Sequence, residues 1–331
     1  MLIVDKNRSV PNTLAIPSVA PYVAHIVDSR DDLVGASEQA KKLSVPLLPL
    51  GEGSNIVPRD VVNAFVVIMN NKGIEQNENY LTVQAGEKWD DIVNFAVQTG
   101  LSGIEALSWI PGSVGAAPVQ NIGAYGTEIR DVIEQVKVFD IETRSFKFFT
   151  KEDCYFEYRN SIFKKFPGKY IVTSIVLKLS TEIPHMPKYK DVETYFNEIK
   201  SSDPGLIEIR NAIIHIRQNK LPDPVSTPNA GSYFTNPILN QEQFEKLRSK
   251  FPNIPSFPIQ YKVKVPAGWL IENAGLKGAQ VGSLKTYKNN ALVLTNPNKL
   301  GFKEVQKAEK IIQDTIFEKF GITLQREPIV I

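Results

Sequence analysis

The sequence predicts an α+β protein of two or three domains rather than a doubly wound sheet. Three observations carry that reading. Apolar runs of strand and of helix period are mixed along the 331 residues without a regular strand–helix alternation. A short loop, Gly51-Glu52-Gly53-Ser54-Asn55, joins two strand-like runs where a dinucleotide fold would start a helix. The seventeen residues from Ile110 to Gly126 hold four glycines, two prolines and three alanines and carry no charge. Such a stretch suits a backbone that something large approaches closely.

In chain order, residues 13–27 read as short strands and turns ending in V-A-H-I-V. A helix follows from Ser29, with Asp31 and Asp32 in its first turn and Leu33, Ala36, Ala40 and Leu43 as its stripe. V-P-L-L-P-L is a short buried strand. The glycine loop after it fails the G-x-G-x-x-G pattern twice. Ile56 stands at the third glycine, and Val57-Pro58-Arg59 leads into the strand F-V-V-I-M instead of a helix. Two readings stay open for it, a nest of backbone N–H groups that binds phosphate and a plain hairpin turn. Y-L-T-V-Q-A-G is a strand. Asp90 and Asp91 open a helix bearing Ile92, Phe95 and Ala96, which Gly100 stops. V-I-E-Q-V-K-V-F-D, S-F-K-F-F-T and K-Y-I-V-T-S-I-V-L-K-L alternate as strands. Helices span 191–199 and about 206–217. Lys220-Leu221-Pro222-Asp223-Pro224 is a rigid segment suited to a domain linker. Residues 303–320 form an amphipathic helix with Val305, Ala308, Ile312 and Ile316, stopped by Gly321, and I-T-L-Q-R-E-P-I-V-I is a last strand.

The candidate chemistry lies in four places. In the uncharged stretch, Gly112, Gly115, Gly123 and Gly126 permit close approach, and Pro111 and Pro118 stiffen the path. Gln120, Asn121 and Tyr125 are its polar groups, suited to a planar ring edge or a ribose. The stretch is either a cofactor bed or a ligand-free connector. Arg159 and Asn160 stand among Tyr155, Phe156, Tyr158, Ile162 and Phe163. That arginine is a fixed anion clamp, or else it snorkels out or pairs with Glu157. Ser232, in N-A-G-S-Y-F-T-N-P, reads as nucleophile, acid or turn former. With no G-x-S-x-G and no well-placed histidine, a serine hydrolase is disfavoured. Glu327 is a lone acid amid apolar residues, a pattern that usually marks an exposed face.

Composition excludes other classes. The formal net charge is +2 with both signs interspersed, so no nucleic acid is expected as partner. The single Cys154 allows no internal disulfide, fits a reducing compartment and reads as a small buried hydrophobe. His25, His185 and His215 show no metal spacing, and no metal is expected. The N-terminus has no signal-peptide core and no run is long enough to span a membrane. A cytoplasmic protein without membrane insertion is the expectation.

Taken together, the motifs resemble one family over residues 12–327, the UDP-N-acetylenolpyruvoylglucosamine reductases, or MurB flavoenzymes. The resemblance rests on L-G-E-G-S-N at 50–55, I-P-G-S-V-G-A-A-P-V-Q-N-I-G-A-Y-G at 110–126 and Y-R-N-S-I-F-K at 158–164. It continues in K-L-P-D-P at 220–224, N-A-G-S-Y-F-T-N-P at 229–237, A-G-W-L-I-E at 267–272 and L-K-G at 276–278. Each motif is weak by itself, and all of them in this order are specific.

The resemblance implies a two-part FAD-binding region of the vanillyl-alcohol-oxidase (PCMH) type and a smaller α+β substrate domain. The parts would be 1–67, with 322–331 returning near it, then 68–218, then 219–321. FAD would be held without a covalent link by Gly51, Glu52, Gly53, Ser54 and Asn55. Its other contacts would be Pro111, Gly112, Ser113, Gly115, Gln120, Asn121, Ile122, Gly123, Tyr125 and Gly126. Arg159, Ser232 and Glu327 fall at the family's catalytic positions. Lys220 and Asn236 match residues that hold the UDP-sugar diphosphate, and Tyr189 resembles the tyrosine that closes over it in the longer subtype. The family commonly has Val-Arg after its glutamate and often runs on further. Here Pro328 and Ile329 follow, so no flavin contact from that arginine is expected.

The implied reaction takes hydride from NADPH to FAD and on to the vinyl carbon of the enolpyruvyl ether of UDP-N-acetylglucosamine. Arg159 would meet the carboxylate, Glu327 would help as an acid or through a water, and Ser232 would give the proton. The expected product is UDP-N-acetylmuramate, a peptidoglycan precursor, made by a monomer. Two other classes remain beside this reading. An FAD oxidase of the same scaffold would consume oxygen without NADPH, and a nucleotide-sugar binding protein would be colourless.

Overall fold

The stretch 110–126 lies in the part of the chain that builds a four-stranded and a five-stranded sheet. The computed structural model describes residues 2–182 and 184–331. It has two units. One comprises Met1–Ser9, Val19–Gly53 and Val61–Gln218, and the other Val10–Ser18, Ser54–Asp60 and Asn219–Ile331.

In the first unit, the strand Phe65–Met69 is almost wholly buried and lies between two parallel partners, Val19–Ile26 and Leu47–Leu50. That is why F-V-V-I-M reads as a continuous apolar run rather than an alternating one. Val4–Ser9 adds an antiparallel edge. The helix Asp31–Lys42 buries Leu33, Ala36, Ser37 and Ala40, with acids in its first turn and lysines in its last, as the helix dipole favours. The second sheet is antiparallel, in the order Ser145–Thr150, Ile133–Asp140, Tyr170–Lys178, Tyr80–Gln84, Ile74–Asn77. Phe139 and Ile171 from this sheet join the core of the first, beside Phe65 and Val67. The helix Trp89–Gln98 buries Trp89, Ile92, Val93, Ala96 and Val97, and the chain leaves it through Gly100 at φ +76°. Helices Lys190–Glu198 and Leu206–Lys220 share a small core of Val192, Phe196, Ile209, Ala212, Ile213 and Ile216. The second runs to Lys220, past the expected end at 217, because nothing before Pro222 breaks it. Lys220 is therefore a helix residue and not part of the rigid segment.

In the second unit, one sheet runs Asn229–Ser232, Val293–Thr295, Leu284–Thr286, Gln280–Val281 and another Ile238–Leu239, Lys262–Lys264, Phe257–Ile259. The helix Phe302–Phe320 packs Val305, Ala308, Ile312 and Ile316 into one core with Leu14, Ile16, Val57, Leu270 and Leu284. Gly321 ends it in the left-handed region at φ +68°. The expected last strand shrinks to Ile329–Val330, paired in parallel with Ile56–Val57, and before it there is only a bridge between Phe234 and Arg326. Pro328 has no N–H to extend that ladder. Two helices of this unit went unforeseen, Gln241–Lys250, with an Asn240/Gln243 capping box, and Ala267–Asn273, as did the short helix Ile162–Lys165 of the first unit. Among the described residues no helix is long and apolar enough to cross a membrane.

Candidate active site

The uncharged stretch is built as a bed along residues 85–89. Gly115 and Val114 donate to the carbonyls of Ala85 and Glu87 at 2.9 and 2.8 Å, and Trp89 donates to Gly112 O at 2.9 Å. Gly115 is glycine for this packing, since a Cβ there would stand 2.6 Å from the Ala85 Cβ. The path then turns at Asn121, fully buried with φ +47°. Its Nδ2 donates to Glu128 Oε2 and Glu157 O at 2.9 and 3.1 Å, and its Oδ1 accepts the Arg130 N–H at 3.2 Å. The amide read from the sequence as a group for a ring edge is thus engaged inside the protein and shapes the bed. Gly123–Ala124 and Thr127–Glu128 form a small hairpin. Its turn residues Tyr125 and Gly126 have φ +49° and +87°, both positive as a type I′ turn requires.

Arg159 lies against this hairpin. Its Nη2 donates to Gly123 O at 2.7 Å and its guanidinium sits 5.6 Å from the Tyr158 ring centre. Gly123 admits it, because a Cβ there would come within 3.1 Å of Arg159 Nη1 and 2.9 Å of Glu128 Cγ. Glu157, the alternative partner, pairs with Lys165 at 2.7 Å, and that bond holds its carboxyl below the usual range. Tyr189, just before the helix Lys190–Glu198, meets the Tyr125 ring edge-on at 5.3 Å between centres. Burial pushes the Tyr125 hydroxyl up to about 12, with Arg217 beside it pulling the other way. From the glycine loop, Glu52 Oε2 accepts the Gly112 N–H at 3.1 Å, and Gly51 leaves no room for a Cβ beside Ser113 Oγ.

Sequence reading missed the group that anchors this bed. Arg210 makes a bidentate pair with Asp90 at 2.8 and 2.9 Å, and Asp90 also accepts the Trp109 N–H. Arg217 Nε donates to Trp109 O at 3.2 Å. Burial acts to raise the Asp90 carboxyl, but the Arg210 and Trp109 hydrogen bonds and nearby positive charge outweigh it and hold it below its ordinary value. The only signal in the sequence was an acid in a helix's first turn, which explains itself without a partner.

The second unit carries the other candidates. Ser232 ends the strand Asn229–Ser232, opposite Val293, and the register slips between Asn229 and Ser232. Gly231, at φ +68°, takes up that bulge and donates to Asn229 Oδ1 at 2.9 Å. The serine is thus on a bulged strand end, not in a free-standing turn. Glu327 is buried and not an exposed face residue, and its N–H donates to Tyr233 O at 3.0 Å. Ser232 and Glu327 therefore sit on adjoining segments. Asn236 Oδ1 accepts the Ala267 N–H at 2.9 Å at the start of the helix Ala267–Asn273, which leaves the nitrogen of the amide as its donor end. Ser54 and Asn55 belong to this unit too. Ser54 O accepts from Thr13 Oγ1 at 3.4 Å and Asn55 O accepts the Ile329 N–H at 3.0 Å. Lys220 is exposed at the end of its helix.

These residues fit FAD. The bed offers backbone and small side chains with a guanidinium fixed at its hairpin, which suits an uncharged ring system that must exchange negative charge. It holds no histidine or cysteine. Cys154 is fully buried, and burial pushes its thiol up to about 12, so it is no nucleophile for a flavin. Among the described residues no three His, Cys, Asp or Glu side chains are grouped to hold a metal ion.

Comparison with known proteins adds three findings. Residues 21–143 match an FAD binding domain, and residues 223–331 match the UDP-N-acetylenolpyruvoylglucosamine reductase C-terminal domain. Relatives named UDP-N-acetylenolpyruvoylglucosamine reductase include one from Flavobacterium johnsoniae, 39% identical over 97% of this chain and 96% of its own length. Another, from Psychrobacter arcticus, is 38% identical over 96% of this chain and 89% of its own length. Among solved structures, the reductase of that name (MurB) from Thermus caldophilus superposes with a TM-score of 0.70 at 24% identity, covering 100% of this chain and 99% of that one, which shows a shared fold.

Proposed function

This chain belongs to the UDP-N-acetylenolpyruvoylglucosamine reductase family, and from that premise we propose that Arg159, Ser232 and Glu327 carry its chemistry. The protein is an FAD-dependent oxidoreductase of peptidoglycan synthesis that reduces UDP-N-acetylglucosamine enolpyruvate to UDP-N-acetylmuramate with NADPH. FAD, when bound, supplies the hydride exchange between NADPH and the terminal vinyl carbon. As that carbon is reduced, negative charge builds on its neighbour and spreads into the carboxylate. Arg159 meets this charge with a fork already fixed by its bond to Gly123 O, so little reorganisation is needed. Ser232 gives a proton to the charge-bearing carbon. Its hydroxyl is a weak acid, but an enolate-like carbon is a strong base. Glu327 acts as an acid or through a water, since a bare carboxylate would repel the charge. Lys220, the Asn236 amide nitrogen and Tyr189 hold the diphosphate without making bonds.

The loop 51–55 and the bed 110–126 hold FAD non-covalently, within a region whose two parts are 1–67 and 68–218, followed by a substrate domain at 219–321. The enzyme works as a cytoplasmic monomer, without a nucleic-acid partner. The observation that supports this assignment most is the docking of Arg159 on the hairpin of the bed. The test is spectral. Purified protein should be yellow, and denaturation should release all the colour. Without oxygen, NADPH should bleach it and the enolpyruvyl sugar should restore it. A colourless protein, or colour restored by oxygen and not by the sugar, would refute the reading.

A further inference from the structure

The helix Phe302–Phe320 carries one acid on its apolar face. Glu309 is 8% exposed, in line with Val305, Ile312 and Ile316. A carboxylate there needs partners. Its Oε2 accepts from Tyr233 OH at 3.0 Å and from Arg326 Nη1 at 2.7 Å. Tyr233 follows Ser232 in the chain, and Arg326 precedes Glu327. We propose that Glu309 is a positioning residue, a clamp that holds the proton donor Ser232 and the acid Glu327 in mutual register for the second half of the reaction. This rests on the assignment of Ser232 and Glu327 above.

The clamp closes a short loop of contacts. The Glu327 N–H donates to Tyr233 O at 3.0 Å, and Phe234 bridges to Arg326, so the two segments already touch by backbone. A two-residue pairing of this kind can slip or twist. Glu309 adds a side-chain fastening from outside the pair, gripping one residue of each segment. Arg326 Nε also donates to Pro328 O at 3.2 Å, so the same guanidinium braces both sides of Glu327. One turn along the helix, Gln313 donates to Leu324 O at 2.9 Å. Burial, and then Glu309, push the Tyr233 hydroxyl well above its ordinary value, so it stays a donor throughout. Apolar groups in place of the whole Glu309, Tyr233 and Arg326 cluster would be about as stable, whereas removing Glu309 alone takes this acceptor from both the Tyr233 hydroxyl and the Arg326 guanidinium and costs stability. What the carboxylate adds is a fixed geometry for two neighbours of reacting groups.

The test uses the FAD-loaded enzyme and stopped-flow absorbance of the flavin. Glu309→Leu should leave reduction by NADPH within about twofold and slow reoxidation by the enolpyruvyl sugar roughly 10- to 100-fold, the range for displacing reacting groups by about 1 Å. Glu309→Gln keeps one acceptor and should recover part of that rate. Tyr233→Phe, which removes one oxygen, should show a smaller loss of the same kind. Thermal unfolding is followed in parallel. Equal slowing of both halves, or normal reoxidation in Glu309→Leu, overturns the clamp. Should Glu309→Leu fail to fold, Tyr233→Phe combined with Arg326→Met decides, and normal reoxidation there overturns it too. If Ser232→Ala and Glu327→Gln themselves leave reoxidation untouched, the assignment of those two residues fails instead, which separates the two claims.

Discussion

Gly123→Ala tests the link between the bed and its arginine. Gly123 is not in the left-handed region, so alanine meets no backbone strain there. The whole effect is steric. The new methyl would stand 2.9 Å from Glu128 Cγ, 3.0 Å from Thr127 O and 3.1 Å from Arg159 Nη1. Glu128 can yield by a side-chain rotation. Thr127 O cannot, since Ala124 and Thr127 are paired in the two-rung hairpin. Arg159 must therefore give way, and its 2.7 Å bond to Gly123 O is the contact that lengthens. Overpacking of this kind costs about 1–2 kcal/mol, which corresponds to a Tm lower by roughly 2–8 °C in a domain of this size. If the displaced guanidinium loses about half of a charge-assisted bond to the substrate carboxylate, kcat/KM falls roughly three- to tenfold. Differential scanning calorimetry and stopped-flow reoxidation measure the two effects. Gly100→Ala, outside the bed, is the control. Nothing lies within 4 Å of its Cβ position, but its φ is +76°. It should lower Tm by strain and leave reoxidation intact. Wild-type Tm and reoxidation in Gly123→Ala would refute the reasoning.

Further outcomes follow from the same geometry. Ser232→Ala should leave flavin reduction near the wild-type rate and slow reoxidation by about 10²–10⁴-fold in rapid mixing, with Ser232→Cys recovering part; equal slowing of both halves would point to a folding defect instead. Glu327→Gln should slow reoxidation selectively, and a normal rate would show that another residue supplies the acid. Lys220→Ala should raise KM for the UDP-sugar by removing contacts worth about 1.5–3 kcal/mol, while reduction by saturating NADPH changes less; an unchanged KM would remove Lys220 from the site. Asp90 is held below its ordinary value of 3.8, so the unfolded chain binds more protons in the window just below that pH. Its contribution is complete above about pH 5 and is lost as pH falls through the lower folded value. Urea midpoints between pH 2.5 and 6 should therefore fall less steeply with acid in Asp90→Asn than in the wild type, and parallel curves would exclude the pair as a source of acid lability.

What was legible in the sequence had a period or a gap in composition. Helices 31–42, 89–98 and 302–320 showed their stripes, and two of them their glycine stops. The bed showed itself by the absence of charge. Its glycines, though, answer in part to the protein and not to a ligand. Gly51 clears Ser113, Gly115 clears Ala85 and Gly123 clears Arg159. The edge strand Val4–Ser9 was illegible because V-D-K-N-R-S has almost no apolar face and is held by its ladder to Val19–Ile26. Strands of two or three residues in the second unit are too short for any period to appear. Pairs such as Asp90 and Arg210, or Glu309 and Arg326, are made only by the fold, so no local pattern announces them.

The departure at Pro328 is tolerated for a reason the backbone makes plain. A proline within a sheet segment is harmful when its missing N–H was needed by the ladder. Here the N–H before it, of Glu327, donates to Tyr233 O, and the N–H after it, of Ile329, donates to Asn55 O, both at 3.0 Å. Both neighbours of the proline are therefore pinned, one to the serine segment and one to the glycine loop. Pro328 is itself buried, where an amide N–H without an acceptor would be costly, so a residue that has none is well suited to the place. Its fixed φ also removes one torsion from the chain just after Glu327. With Arg326 bonded to Pro328 O on the other side, the glutamate is held between two restrained residues. The atypical sequence after Glu327 thus preserves the backbone frame of the acid by rigidity and hydrogen bonding.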